Sequence, residues 1–534
     1  MCPSLPEHPD LDHLRGQAKL LLRAAETADA EALARLRGVP RLAALSDDAI
    51  AGTAQLADAQ HAIALEYGHA SWPKLKTTVE AGLPLDVQAE HFLERVREQD
   101  VPRALRWLER TPAIAGVNLF TACAAGDAAT FTRLLAAEPA LATATHGPRL
   151  WPPLLYACAS PITSDAPALT AIVRALLAAG ADANTSTPQA DEPRYLLSAL
   201  YFACVRDHAG VVRLLLERGA NTQDGESIYH AAELDHRASL EVMREFGADF
   251  AAIQQPFGNT PLYFLAGYSL GSDASARAHS GMRWLLEHGA DPNLPSGDKR
   301  ETPLHQVARM GAGLAIGQAL LAHGGDPNAA RTDGRTPYAM AYRRGDEALC
   351  AAMLAAGATP ALIPIDEFLG AALRGDADTA RAIVTAHPGL VEQLDGEDRS
   401  QLAQLATEHR DGALELLVEL GYDLAWEGAW GGTPLHHAAW RGNAPMAKRL
   451  LELGAPLEVR DRTYGSSPLA WAAHGSQYCR SDDEAYLAIL RMLLEAGAGR
   501  AASFNRWGEP PENLGSRRVN AFLVRWYKEH PAAT

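Results

Sequence analysis

Apolar positions recur along this chain in a fixed frame. Each copy holds an apolar residue after a capping position, a short alanine-rich stretch, a polar turn, a second stretch with adjacent leucines, and a closing glycine. The step from the first apolar position to that glycine is nineteen residues in Leu200 to Gly219, Ile228 to Gly247, Tyr338 to Gly357, Leu402 to Gly421 and Leu435 to Gly454. The pattern predicts two short helices per copy. Pairs such as Leu285-Leu286, Leu320-Leu321 and Leu450-Leu451 form the buried stripe of the second helix, and the glycine supplies a left-handed C-cap. Degenerate copies at 119–138, 200–220, 228–249, 368–388 and 402–423 keep the spacing. About twelve copies fit between residues 89 and 500, with Phe92 as the first apolar position.

The clearest copy opens Gly432-Thr433-Pro434-Leu435-His436-His437-Ala438-Ala439. Thr302-Pro303-Leu304-His305, Thr336-Pro337-Tyr338 and Thr260-Pro261-Leu262 repeat it. Threonine caps the first helix by accepting a backbone N–H bond, and proline sits in the first turn, where its missing donor costs nothing. This opening and frame resemble the ankyrin repeat, a unit of about 33 residues. The resemblance implies a mainly α chain, an α-solenoid of stacked helix-turn-helix units with finger loops. It also implies that His305 and His436 tie neighbouring units together through backbone hydrogen bonds.

Three copies are stretched between their helices, around 161–167, 268–277 and 475–484, and a fourth insertion at 185–194 lies in a finger. The stretches sit at one point of the unit and are expected to project as loops from one edge. Residues 1–10 read as a tail. Residues 11–85 read as a helical segment, with Leu11, Leu14, Ala18, Leu21 and Leu22 on one stripe. Over residues 11–80 it resembles the segment that precedes ankyrin arrays in a group of bacterial proteins. The array proper is assigned to 89–500 and a terminal cap to 501–534, with an amphipathic helix over 519–527.

Charge narrows the partner. The formal net charge of −17 lacks the basic footprint of a nucleic-acid binder and points to a basic protein partner. No secretory signal is read at the N-terminus. The uncharged run 348–365 is broken by Gly357, Pro360 and Pro364 and matches the repeat frame, so it reads as core, not as a membrane span. Six cysteines without metal-type pairing fit a reducing, cytoplasmic setting. A monomer is expected.

Candidate chemistry is sparse. Cys123, Cys158 and Cys204 all fall where Ala439 sits, a small buried helix position. No phosphate-binding glycine loop, zinc-protease helix motif or nucleophile elbow is present, and the chain reads as neither an enzyme nor a cofactor or metal protein. One variable position faces the groove of the resembled fold. There the chain presents Tyr156, Phe202, His230 and Phe264 in four consecutive units, and a second cluster collects Trp426, Trp430, His437, Trp440 and Trp471. Such rings are the usual anchors of a protein interface; the other reading is that they pack between units and are covered by the long loops. The leading expectation is a non-catalytic scaffold that docks a protein partner on these rings. The alternative is an enzyme or ligand receptor with a pocket near His437, His474 and Cys479.

Overall fold

A computed structural model describes residues 5, 11–162, 166–189, 195–268, 273–405, 411–428, 431–479 and 482–530. Among these residues it holds thirty α-helices and one two-stranded hairpin. The chain divides into two compact units, Met1–Leu265 with Ser272–Ala290, and Ala266–Gly271 with Asp291–Thr534.

The first unit opens with α1 (Leu11–Glu26), α2 (Ala30–Leu36), α3 (Asp47–Thr53), α4 (Leu56–Glu66) and α5 (Trp72–Ala81). They bury Leu14, Ala18, Leu21, Leu33, Leu36, Ile50, Ile63, Leu75 and Val79 in a core of their own. Asp29 and Ser46 cap α2 and α3 by accepting the N–H groups of Ala32 and Ala49. Arg110 Nη1 to Glu80 (2.7 Å) and Gln88 Nε2 to the Leu83 carbonyl (2.8 Å) join this segment to the next helices.

Six helix pairs follow in the same unit. They are α6 (Leu85–Arg97) with α7 (Val101–Arg110), α8 (Leu119–Ala125) with α9 (Ala128–Ala137), α10 (Pro153–Cys158) with α11 (Ala166–Ala178), α12 (Ala199–Val205) with α13 (Ala209–Glu217), α14 (Ser227–Glu233) with α15 (Arg237–Glu245), and α16 (Pro261–Leu265) with α17 (Asp273–Glu287). First helices pack on first helices and second on second in α8 on α10 and α11 on α13, while α14 packs chiefly on the lengthened α17. The second unit repeats this with α18 (Pro303–Met310) and α19 (Leu314–Ala322), α20 (Pro337–Arg343) and α21 (Glu347–Ala355), α22 (Pro364–Arg374) and α23 (Ala377–Ala386), α24 (Gly396–Gln404) and α25 (Asp411–Glu419), α26 (Pro434–Arg441) and α27 (Ala444–Glu452), and α28 (Pro468–Tyr478) and α29 (Asp483–Glu495). Each unit is thus an α-solenoid. The last helix, α30 (Arg517–Glu529), buries Val519, Phe522, Leu523 and Tyr527 beside α28 and α29.

Stacking satisfies the polar backbone at each helix end. Asn184, Asn293 and Asn328 donate from Nδ2 to the carbonyls of Gly219, Gly324 and Gly357 in the next copy, at 3.1, 2.9 and 3.0 Å. Their Oδ1 atoms accept the N–H groups of Asn221, Asp326 and Thr359. Carbonyls that the helix leaves orphaned are therefore paired across the repeat joint. His305 and His436 act as the resemblance implies. His436 Nδ1 accepts the Thr433 N–H at 3.1 Å, and Nε2 donates to the Ser466 carbonyl at 3.1 Å. His305 reaches the Arg335 carbonyl in the same way, at 3.1 Å.

The stretched copies differ from the expected loops. Residues 273–277 belong to α17 and 475–478 to α28, so much of the extra chain lengthens helices. The extension of α28 is possible because Gly475 lets it lie on the preceding copy. A Cβ there would come within 2.3 Å of the Trp440 carbonyl oxygen. Residues 163–165, 269–272 and 480–481 of these stretches lie outside the described residues. The insertion at 185–194 contributes β1 (Ser186–Pro188), which pairs antiparallel with β2 (Leu196–Ser198) just after it, Thr187 opposite Leu197; residues 190–194 lie outside the described residues.

Candidate functional site

The variable groove position does not form an exposed ladder. Tyr156 and Phe202 are 0% and 1% exposed. Trp151, from the preceding finger, lies over both, with ring centroids 5.3 and 5.1 Å away, and Arg97 Nη1 donates to the Tyr156 hydroxyl at 2.7 Å. These rings hold neighbouring copies together, so the expectation that they meet a partner is corrected. The cause is the finger that turns Trp151 back over them, a fold that the helix frame does not show although Trp151 lies only five residues before Tyr156. His230 and Phe264 are half-buried, 6.4 Å apart edge to face. His230 is clasped by Glu233 at 2.7 Å and Glu226 at 3.2 Å. Burial works against its charge, but the two carboxylates outweigh it and push the imidazole up to about 9.

The second cluster divides. Trp426 is half-buried against Tyr422 and under the Arg399 guanidinium, 4.1 Å from its ring. Trp430 lies outside the described residues. His437 is buried against Trp471, and burial lowers its pKa to about 4, with His436 and Arg441 adding repulsion. It is removed from any docking surface. Trp471 is also nearly covered, and its Nε1 donates to Asp461 Oδ2 at 3.0 Å.

Trp440, Trp471 and His474 do converge. They line a cavity of about 350 Å³ with Tyr464, Trp507 and Glu509. Helices α26 and α28 form its floor, and the fingers 461–466 and 504–509 form its walls. Asp461 organises the first finger by accepting the N–H groups of Thr463 (2.9 Å), Tyr464 (2.5 Å) and Ser466 (2.8 Å). Asn505 Oδ1 does the same for Trp507 (3.1 Å) and Glu509 (2.9 Å) in the second. Two bonds lock the fingers together: Arg506 N–H to the Tyr464 carbonyl (2.7 Å) and Arg506 Nη1 to the Thr463 carbonyl (2.7 Å). Trp440 stands 6.1 Å from Trp471 and 5.4 Å from His474, both edge to face. Tyr464 stands 6.3 Å from Trp507.

The frame-based reading missed Tyr464, Trp507, Asn505 and Glu509. A signal was present. In two successive fingers an Asp or Asn is followed, two or three residues on, by an aromatic and then by a positive-φ glycine (Gly465 and Gly508). That is an Asx-type turn holding a ring at the finger tip.

Reactive groups do not gather here. Cys479 follows α28 and does not line the cavity, and among the described residues no group of three or more His, Cys, Asp or Glu is placed to hold a metal ion. Cys123, Cys158 and Cys204 are buried, and burial pushes all three thiols up. The cavity's capability is therefore recognition by aromatic faces.

Known proteins share the repeat. A family model for ankyrin repeats in three copies matches residues 402–500, and the single ankyrin repeat matches 195–225. The chain is similar to ankyrin repeat and SOCS box protein 16 of Mus musculus, 32% identical over 195 residues, and to that of Homo sapiens, 31% over 201 residues. Each match covers 35% of this chain and 42% of the relative, so the chain spans well under half the length of these relatives. It is 26% identical over 305 residues to ankyrin repeat and KH domain-containing protein mask-1 of Caenorhabditis elegans, covering 54% of this chain and 11% of that protein. The crystal structure of the human ASB11 ankyrin repeat domain aligns with 22% identity and a TM-score of 0.25, over 50% of this chain and 97% of that one. These relatives are eukaryotic, and none bears on the bacterial origin that the N-terminal resemblance implied. With the matched copies, the histidine ties and the asparagine joints in agreement, the chain is an ankyrin-repeat protein, built of a module that serves protein–protein interaction.

Proposed function

We propose that this chain is a non-catalytic scaffold that docks a protein partner at the cavity between its last two fingers. The observation that carries the reading is the recess itself, an aromatic-walled hollow whose rim residues Trp507 and Tyr464 are 62% and 39% exposed. Large rings left in water around a recess mark interaction sites, and tryptophan and tyrosine are the usual anchors. The net charge of −17 favours a basic partner and speeds its encounter. Among the described residues five free cysteines, four of them buried, suit a reducing compartment such as the cytoplasm. Half-buried His230 and Phe264 offer a lesser surface in the other unit.

The test is affinity capture from native lysate with the wild type, a Trp507→Ala/Tyr464→Ala variant and a Phe264→Ala variant, each confirmed folded by circular dichroism. Loss of one partner from the double variant alone supports the reading. Loss from Phe264→Ala alone moves the site to the first unit. If the wild type captures nothing, the scaffold reading fails.

A further inference from the structure

We propose that the cavity between the last two fingers receives the alkylated ammonium group of a methylated lysine side chain on a protein partner. This rests on the docking reading above and names what the recess recognises.

The argument starts from the walls. Trp440 and Trp471 meet at 71°, Tyr464 and Trp471 at 68°, and Tyr464 and Trp507 at 44°, with neighbouring centroids 6.1 to 6.4 Å apart. These inclined rings line one hollow, and exposed aromatic faces attract organic cations. The Trp507 ring already holds one cation, Arg506, which is not among the residues lining the hollow. Its guanidinium lies 5.0 Å from the Trp507 centroid, and the bond to Thr463 anchors it to the fingers.

The Glu509 carboxylate offsets the Arg506 cation that already sits on Trp507. Glu509 places a carboxylate on the lining, held by Asn505 Nδ2 at 2.7 Å. Burial lowers the pKa of His474, so its ring stays neutral at pH 7 and does not repel a cation. The nearby Asp461 carboxylate is consumed by three backbone N–H groups and the Trp471 indole.

Acceptor supply then selects among cations. A guanidinium brings five N–H donors and an unmodified ammonium three, each needing an acceptor once water is expelled. Of the other polar lining residues, Asn505 Oδ1 already accepts the Trp507 and Glu509 N–H groups and the Ser466 carbonyl accepts from His436, which leaves Glu509, the Ser466 hydroxyl and His474 among the rings, Ala470 and Leu514. Alkylation removes donors and lowers the cost of leaving water while it keeps the charge. A volume of about 350 Å³ sits at the low end for a ligand site, roughly 300–1,000 Å³, and suits one long side chain.

The experiment uses the full chain and tryptophan fluorescence titration. Probes are a short peptide carrying one trimethyllysine, the same peptide with unmodified lysine, its neutral tert-butyl isostere, and free choline. The trimethyllysine peptide should bind saturably, with the isostere and the unmodified lysine each weaker by about tenfold or more. Trp507→Ala, a change at an exposed rim, should abolish binding. Glu509→Gln should weaken the trimethyllysine peptide and leave the isostere unchanged. An isostere that binds as well as the cation overturns the proposal and leaves a neutral apolar pocket. Equal binding of choline overturns the side-chain source, and absence of binding by all probes overturns it outright. If Trp507→Ala still loses a captured protein in those cases, the scaffold reading survives alone.

Discussion

Removing Arg343 tests how the second unit tolerates buried charge. The guanidinium is 5% exposed and sits between two carboxylates as well covered as itself. Nε bonds Asp366, and Nη1 donates to Asp398 at 2.7 Å. Arg343→Met fills similar space and leaves both carboxylates without their main partner. Breaking a buried pair in this way costs about 3–5 kcal/mol. Here some support remains, since Asp366 still accepts the Ile363 N–H at 2.9 Å and Asp398 still meets Arg335 at 3.2 Å. The expected cost is therefore at the low end, about 3 kcal/mol, or roughly a hundredfold in local opening. Hydrogen exchange of the α20 and α22 amides measures that opening, and in a repeat array the effect should stay local, leaving α11 and α13 unchanged. Burial already raises the Asp398 pKa against the pull of Arg343, so the variant should raise it further. The penalty should then shrink as pH falls from 7 toward 4, because protonated carboxyls need no counter-charge. Arg343→Met with Asp398→Asn should recover part of the loss at pH 7. Opening that changes less than about threefold, or a loss independent of pH, would refute the argument that buried charge dominates this joint.

Further outcomes follow from the same physics. Burial lowers His436 and His437 to about 4, below the usual value of about 6.5 in an unfolded chain. Between those values the unfolded chain takes up protons that the folded one refuses, so the second unit should lose stability as pH drops from 6.5 to 4. Denaturant midpoints should show it, with a shallower slope in His437→Phe. His230 has the opposite sign. Its carboxylate clasp raises it to about 9, so its stabilisation is fully present below about pH 6.5 and fades as pH rises through 9. An NMR titration should give a pKa near 9 in the wild type and a clearly lower one in Glu233→Gln. Cys123, Cys158 and Cys204 should resist a disulfide exchange reagent in the native protein and react at once in denaturant. Rapid native labelling at these sites would show that the first-helix contacts open readily.

What the chain determines by local pattern alone is the repeat. Thr-Pro openings, adjacent leucines and closing glycines act within one copy, so their spacing specifies both helices, their caps and the small packing position of Cys123, Cys158 and Cys204. The histidine tie was equally legible, because its acceptor lies one period on, in Ser466 or Arg335. Exposure was not. Tyr156 and Phe202 occupy a groove position, but Trp151 covers them, and only the folded finger brings it there. The cavity was half legible for the same reason. Trp440, Trp471 and His474 share the helix frame, while Tyr464, Trp507 and Glu509 arrive on fingers whose Asx turns and Arg506 bonds set their direction. The ion network of Arg331, Arg335 and Arg343 lay furthest from view. Its acids, Glu301, Asp366 and the adjacent Glu397 and Asp398, come from three copies, and charges spaced along a sequence look like solvated surface until stacking removes the water between them.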